Sequence, residues 1–332
     1  MFKKTTGAIF LSAVAALTGS TAMADGHAIT VGYFLEWPMP FQYAKVQGTY
    51  EEALGMEINW VSFDTGTAMS AAMASGDVQM SVSQGVPPFV VAASAGQDLQ
   101  MLDVAVSYAD NDNCVVRSDL EIDASSAGDL AGSRVAVPLG TAAHYGFLRQ
   151  MDHFGVDLTS LEIVDMSPPD GAAAIAQGAV DMMCGWGGSL RRALEHGNTL
   201  LTGDEKTELG ILVFDVTSAP TAWVAENGET VSKFLAVTAE ANAMWNSGDN
   251  TAEMLPIIAQ DAGMDEEATA STLATFVFPS VEEQLGDAWL GAAAPSFLKG
   301  VADVFVESGA IDGALDSYEG NINTGPLSDS AM

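Results

Sequence analysis

Residues 63–88 read FDTGTAMSAAMASGDVQMSVSQGVPP: a strand end, a glycine turn, a helix-period run, a second strand and a second polar glycine turn. This alternation constrains the fold more than any other stretch, because two strands joined through a helix can run parallel only inside an α/β layer structure. Asp64, Thr65 and Gly66 close the first strand, and Ser83, Gln84 and Gly85 close the second. Parallel strands ending in such residues, each followed by a helix, gather backbone N–H groups and hydroxyls at one sheet edge. Open α/β sheets bind their ligands at that edge.

The same rhythm runs through most of the chain. Further β-rich runs fall at 29–34, 58–63, 78–83, 99–106, 114–117, 134–138, 161–166, 180–185 and 211–216. Helix-period segments lie between them at 41–54, 67–74, 142–154, 171–176 and 189–196. Mainly parallel sheets are expected. After Val216 the alternation stops, and residues 227–332 are helical in pattern. Lobe one is therefore expected at 25–106 plus 217–332, and lobe two at 107–216. Two crossings between lobes make a hinge, and a cleft between hinged lobes closes on a small ligand.

The first 24 residues have the make-up of an export leader. Lys3 and Lys4 precede an apolar run at 8–17, and Ala22-Met23-Ala24 suits cleavage after Ala24. The run is short for a membrane span, and no later stretch approaches about 18 uninterrupted apolar residues. The chain from Asp25 onward is too long for one comfortable core, which also favours two lobes.

Forty-four acidic residues against 11 basic ones give a net charge of -33. That balance excludes nucleic-acid binding and describes a strongly solvated surface. In an exported chain the two cysteines, Cys114 and Cys184, are expected to pair, the alternative being two buried thiols. His27, His144, His153 and His196 are scattered, and cysteines this far apart form no zinc pattern, so no metal is expected. No GxSxG elbow, P-loop or GxGxxG turn occurs, and no other cofactor is expected. Arginine is nearly absent from the strand ends, since Arg134 opens its strand. A dianion or large phosphate would normally meet one there.

The segments FDTGTAMSAAMASGDVQMSVSQG, RVAVPLGTAAHYGFL, EIVDMSPPDGAAAIAQGAVDMMCGW and the GDL at 128–130 resemble the periplasmic taurine-binding proteins of ABC importers. These belong to a broader group that also takes alkanesulfonates, nitrate and thiamine precursors. The resemblance covers residues 29–234 in order. It implies a type II periplasmic-binding-protein fold and a non-enzymatic receptor in the periplasm that hands taurine to an ABC permease. Nothing in the sequence pattern suggests an oligomer seam, so a monomer is expected. The alternatives are another small sulfonate or a thiamine-precursor pyrimidine.

Taurine demands hydrogen-bond donors for its sulfonate and acceptors for its ammonium, since burying either charge unpaired costs several kcal/mol. For the sulfonate, Gly140-Thr141-Ala142 marks a strand-to-helix turn with free N–H groups, and Thr141 serves as cap, ligand donor or both. Ser83 and Gln84 reach the same cleft from lobe one, with Thr65 at the neighbouring strand end. The resemblance places His144 and Tyr145 beside the site, His144 as a donor, Tyr145 stacking on the ligand or filling lobe two. For the ammonium the candidates are Glu36, Asp64, Asp112 and Asp215, with Asp215 first because it lies at the second crossing. Phe34, Trp37 and Trp186 are candidate walls, and an ammonium against such a face gains about 0.5–2 kcal/mol. A related pyrimidine synthase shares the fold but uses a histidine with a cysteine-rich iron motif. That motif is not present in this sequence, and His144 has no evident nucleophile or acid partner.

Overall fold

The computed structural model describes residues 28–211 and 213–331. The expected leader at 1–24 and its cleavage point lie outside the described residues. The chain first builds β1 (Ile29–Phe34), β2 (Ile58–Phe63), β3 (Met80–Gly85), β4 (Leu99–Met101) and β5 (Val106–Tyr108). It then builds β6 (Asp112–Arg117), β7 (Arg134–Val137), β8 (Glu162–Asp165), β9 (Met182–Trp186) and β10 (Gly197–Thr199), and returns with β11 (Val213–Pro220). Two sheets result, one in each lobe. The first has the order β2-β1-β3-β11-β4 with β5 also on β11, and the second β10-β6-β9-β7-β8.

By sheet membership Ser107, Tyr108 and residues 213–216 belong to the first lobe. The chain thus passes between the two sheets after Tyr108 and before Val213. The sheets are also less parallel than the alternation predicts. The β1·β2, β1·β3, β7·β8 and β7·β9 pairs are parallel. Every pair made by β6 or β11 is antiparallel. These two strands follow the crossings, so they enter a sheet from the other lobe and not by the helical crossover that makes neighbours parallel.

The central strands β1 and β3 are buried on both faces, and the edge strand β2 alternates toward solvent. The helical run at 41–54 is interrupted at Gly48, whose φ of 72° ends one helix and opens the next. Among the described residues no helix is long and apolar enough to cross a membrane. Beyond β11, helices wrap lobe one. The helix Ala293–Glu307 buries Leu298, Val301, Ala302 and Phe305, one stripe at helical spacing, and packs on both Val86–Ser94 of lobe one and Ala142–Phe154 of lobe two. In lobe two Cys114 and Cys184 lie directly opposite one another in the antiparallel β6·β9 pair and are joined by a disulfide.

Candidate functional site

Between the lobes lies a hollow with about 290 Å³ of empty space, bordered by Phe34, Trp37, Gly66, Gly85, Pro88 and Tyr108 from lobe one and Asp112, Thr141, Ala142 and Trp186 from lobe two, with Asp215 on the returning strand. Strand ends supply five of these residues. Phe34 ends β1, Gly85 ends β3, Tyr108 ends β5, Trp186 ends β9 and Asp112 opens β6, antiparallel to β9.

Asp215 is held by hydroxyls on both oxygens. Ser83 donates to Oδ2 at 2.5 Å and Tyr108 to Oδ1 at 2.7 Å, while the Trp37 indole N–H donates to Ser83 at 2.9 Å. Ser83 reaches it through a bulge. Opposite β11, β3 places Val82 and Ser83 against the single residue Thr217, and Ser83 has a left-handed φ of 64°. A non-glycine residue there costs about 1–3 kcal/mol, a conformation that persists where surroundings over-determine it. Here the surroundings are the two hydrogen bonds to its hydroxyl. Burial pushes the Asp215 carboxyl up to about 7, although the bonds from Ser83 and Tyr108 pull it down. The same burial holds the Tyr108 phenol protonated well above its ordinary value.

Asp112 is also 2% exposed, and its Oδ2 has no hydrogen-bond partner among the described residues. Burial pushes its carboxyl up to about 7, against the pull of nearby Lys206. Lys206, on the short helix Gly203–Glu208, is itself buried, and its ammonium donates to the main-chain oxygen of Asp112. Burial lowers the lysine from its ordinary value.

Donors come from helix starts. Thr141 caps the helix Ala142–Phe154, its Oγ1 donating to the Pro138 carbonyl at 2.6 Å and accepting from the His144 N–H. The first-turn N–H groups of Ala142 and Ala143 have no partner within the helix, and its dipole favours an anion in front of them. The helix Gly66–Ser75, capped by Thr65, presents Gly66 to the same hollow. A Cβ on Gly66 would fall 2.6 Å from Pro88, so only glycine fits there. The helix Val86–Ser94 carries Pro87 and Pro88 in its first turn and so lacks two N–H groups.

The hollow therefore brings together Phe34, Trp37, Asp112, Thr141, Trp186 and Asp215, with Ser83 directly behind Asp215. Six other candidates stand elsewhere. Gln84 turns into lobe one, donating to the Gly66 carbonyl and Ser70 and accepting from Ser218. Thr65 uses its hydroxyl on the Ala68 N–H. Asp64 is exposed and, with Glu36, borders an outer cleft of about 780 Å³ that shares Phe34 and Trp186 with the hollow. His144 accepts the Gly140 N–H on Nδ1 and stacks on Phe305, and burial lowers its imidazole to about 4. Tyr145 fills space against Phe305 and accepts from Arg149. Glu36 makes a two-pronged ion pair with Arg192 at 2.5 and 2.9 Å, and its main-chain oxygen accepts the Gly188 N–H.

Residues 38–284 match the family described as NMT1/THI5 like. The chain belongs to the NMT1/THI5-like family. Among its relatives, the taurine-binding periplasmic protein of Escherichia coli K12 is 28% identical over 221 residues, 67% of each chain. The crystal structure of the periplasmic aliphatic sulphonate binding protein SsuA from Escherichia coli superposes with a TM-score of 0.68 at 24% identity, covering 87% of this chain and 95% of that one. The alkanesulfonate-binding protein SsuA from Xanthomonas axonopodis pv. citri, bound to MOPS, gives 0.69 at 21% identity, with coverage of 85% and 93%. The periplasmic-binding-protein fold is shared with both, and these relatives are binding proteins, not enzymes.

In this member of the NMT1/THI5-like family, Tyr108, Pro88, Lys206 and Arg192 border or support the site without any sequence signal singling them out. Arg192 fastens lobe two to lobe one through Glu36, beside a longer Arg191–Asp265 contact at 3.8 Å and a main-chain bond from the Gly188 N–H to the Glu36 oxygen. The pair is partly exposed, so it is worth about 1 kcal/mol and not more. Arg192→Ala is expected to raise the radius of gyration of the ligand-free protein in X-ray scattering and to speed ligand release about fivefold. Unchanged values for both would show that the clasp does not hold the lobes.

Proposed function

We propose that the protein is a periplasmic substrate-binding protein that captures taurine and delivers it to an ABC permease in the inner membrane. The observation that carries this reading is the coexistence, around one small hollow, of helix starts at Ala142 and Gly66, whose N–H groups have no partner within their helices, with the buried carboxylates of Asp112 and Asp215. An anion alone suits the first set, and buried carboxylates oppose it. A zwitterion with an acceptor-only anionic end and a donor-only cationic end meets both. Phe34 and Trp186, edge to face at 5.8 Å, wall the hollow off from the outer cleft. Its small size favours a ligand of a few heavy atoms. The names of the similar proteins support a sulfonate as the anionic end.

A pyrimidine fits less well, because it calls for parallel aromatic faces. Trp37 instead packs against Tyr108 and Phe276 and spends its N–H on Ser83.

Calorimetric titration with taurine, homotaurine, ethanesulfonate and nitrate tests the reading. Taurine is expected to bind at least tenfold more tightly than ethanesulfonate, since losing the ammonium leaves buried acceptors unpaired. Equal affinities would end the assignment of an ammonium subsite. Ultraviolet absorbance of ligand released on denaturation would reveal a pyrimidine, which taurine cannot mimic.

A further inference from the structure

Two carboxylates border the hollow, and the proposed ligand has one cationic group. Asp215 already accepts hydroxyl bonds on both oxygens, whereas Asp112 keeps a buried oxygen without a partner. The charged and titratable groups facing this pair are few. Lys206 approaches Asp112 from the helix Gly203–Glu208 but bonds its main-chain oxygen, and Asp110 acts on that lysine. Tyr108 faces Asp215 from β5. His144, on the helix across from Asp112, is turned to Gly140 and Phe305 and feels Asp165 instead. Apart from Lys206, whose charge pulls Asp112 down, these groups offer no positive charge to set against the two buried carboxylates.

Resting on the taurine reading, we propose that the ligand's ammonium takes the place of a proton that the Asp112 and Asp215 pair holds in the empty site, and that Asp112 thereby sets the preference for an aminosulfonate over a plain sulfonate. On binding, the carboxyl O–H bond breaks, its electron pair stays on the oxygen, and the proton passes to the buffer. The ammonium then donates N–H to the carboxylate so formed, and no bond within the ligand changes. The burial that raises both carboxyls to about 7, with the Asp112 charge adding to Asp215, agrees with a proton resident at neutral pH. A plain sulfonate brings no donor, so it leaves that proton in place or draws another in.

The free site binds more protons than the occupied one below the raised values, so taurine affinity rises with pH up to that range and levels off above it. Titrating the full protein with taurine in two buffers of different ionisation enthalpy is expected to show close to one proton released at about pH 6 and almost none at about pH 8, with Kd tightening up to about tenfold per pH unit between them. Ethanesulfonate is expected to weaken over the same interval. Asp112→Asn is expected to reduce the proton release and bring the two ligands to within a few-fold of each other; if that variant does not fold, the wild-type pH profile decides alone. Taurine bound with no proton exchanged and a pH-independent Kd overturns the inference and leaves the taurine reading standing. No taurine binding at any pH overturns both.

Discussion

Asp215→Ala is expected to weaken taurine binding by two to three orders of magnitude. The carboxylate is 2% exposed and organises a chain of three donors, Tyr108 and Ser83 directly and Trp37 through Ser83. Removing one partner of a buried, hydrogen-bonded charge pair costs about 3–5 kcal/mol, and the lower part of that range, about 3–4 kcal/mol, corresponds to roughly 10²–10³ in Kd. Calorimetry with taurine reads the loss, and a Kd within tenfold of wild type would remove Asp215 from the site. Asp215→Asn separates lost function from lost folding. Its native carboxyl titrates at about 7, against an unfolded value near 3.8, so the group's contribution to stability is present below the unfolded value and lost as pH rises through 7. The amide has no such titration. At about pH 7.5 Asp215→Asn is therefore expected to melt at or above the wild-type temperature while binding taurine poorly. Tyr108→Phe removes a single hydroxyl donor and is expected to cost nearer 1 kcal/mol.

The parts of this site that can be read from sequence are those fixed by local rules. A strand ending in Gly140-Thr141 before a helical run declares a capped helix start, and the structure has Thr141 at that cap. Asp112 and Trp186 are legible for a related reason, since polar or aromatic residues at the tips of apolar strands have few places to go except the sheet edge, and Asp215 is legible from its place by the second crossing. What local rules do not reach is choice of partner. Glu36 looks like a free acceptor until the fold brings Arg192, 156 residues away, onto both its oxygens. Gln84 comes directly after Ser83 in sequence, yet the bulge that carries Ser83 into the site leaves Gln84 facing Ser70 and Ser218. His144 sits one turn inside the right helix, but its ring is taken by Gly140 and Phe305, and Phe305 comes from a helix whose docking no short-range pattern encodes. Lys206 is hidden for the opposite reason. In an acidic chain a lone lysine among Asp204, Glu205 and Glu208 reads as a solvated surface residue, and only tertiary packing turns it inward to Asp112.

The second large effect concerns the covalent link in lobe two. Replacing Cys114 and Cys184 together by alanine, or reducing them, is expected to lower stability by about 4 kcal/mol, because the link closes a loop with a sequence separation of 70. For a chain of this size that corresponds to a fall in Tm on the order of 8 °C. The link also bears on ligand capture. In the β6·β9 pairing Cys114 faces Cys184, and two rungs further along the same ladder Asp112 faces Trp186, both at the hollow. Loosening this ladder frees the carboxylate and the aromatic wall to move relative to each other. Affinity for taurine is accordingly expected to fall about three- to tenfold, a penalty of about 1 kcal/mol in site order alone. Thermal melts with and without reductant, paired with calorimetry on the same samples, separate the two consequences. A melting temperature unmoved by reductant would mean that the sulfurs are not joined in the purified protein. A lowered melting temperature with unchanged affinity would mean that the ladder end holds its geometry through hydrogen bonding, the Lys206 contact to the Asp112 main chain being the bond best placed to do so.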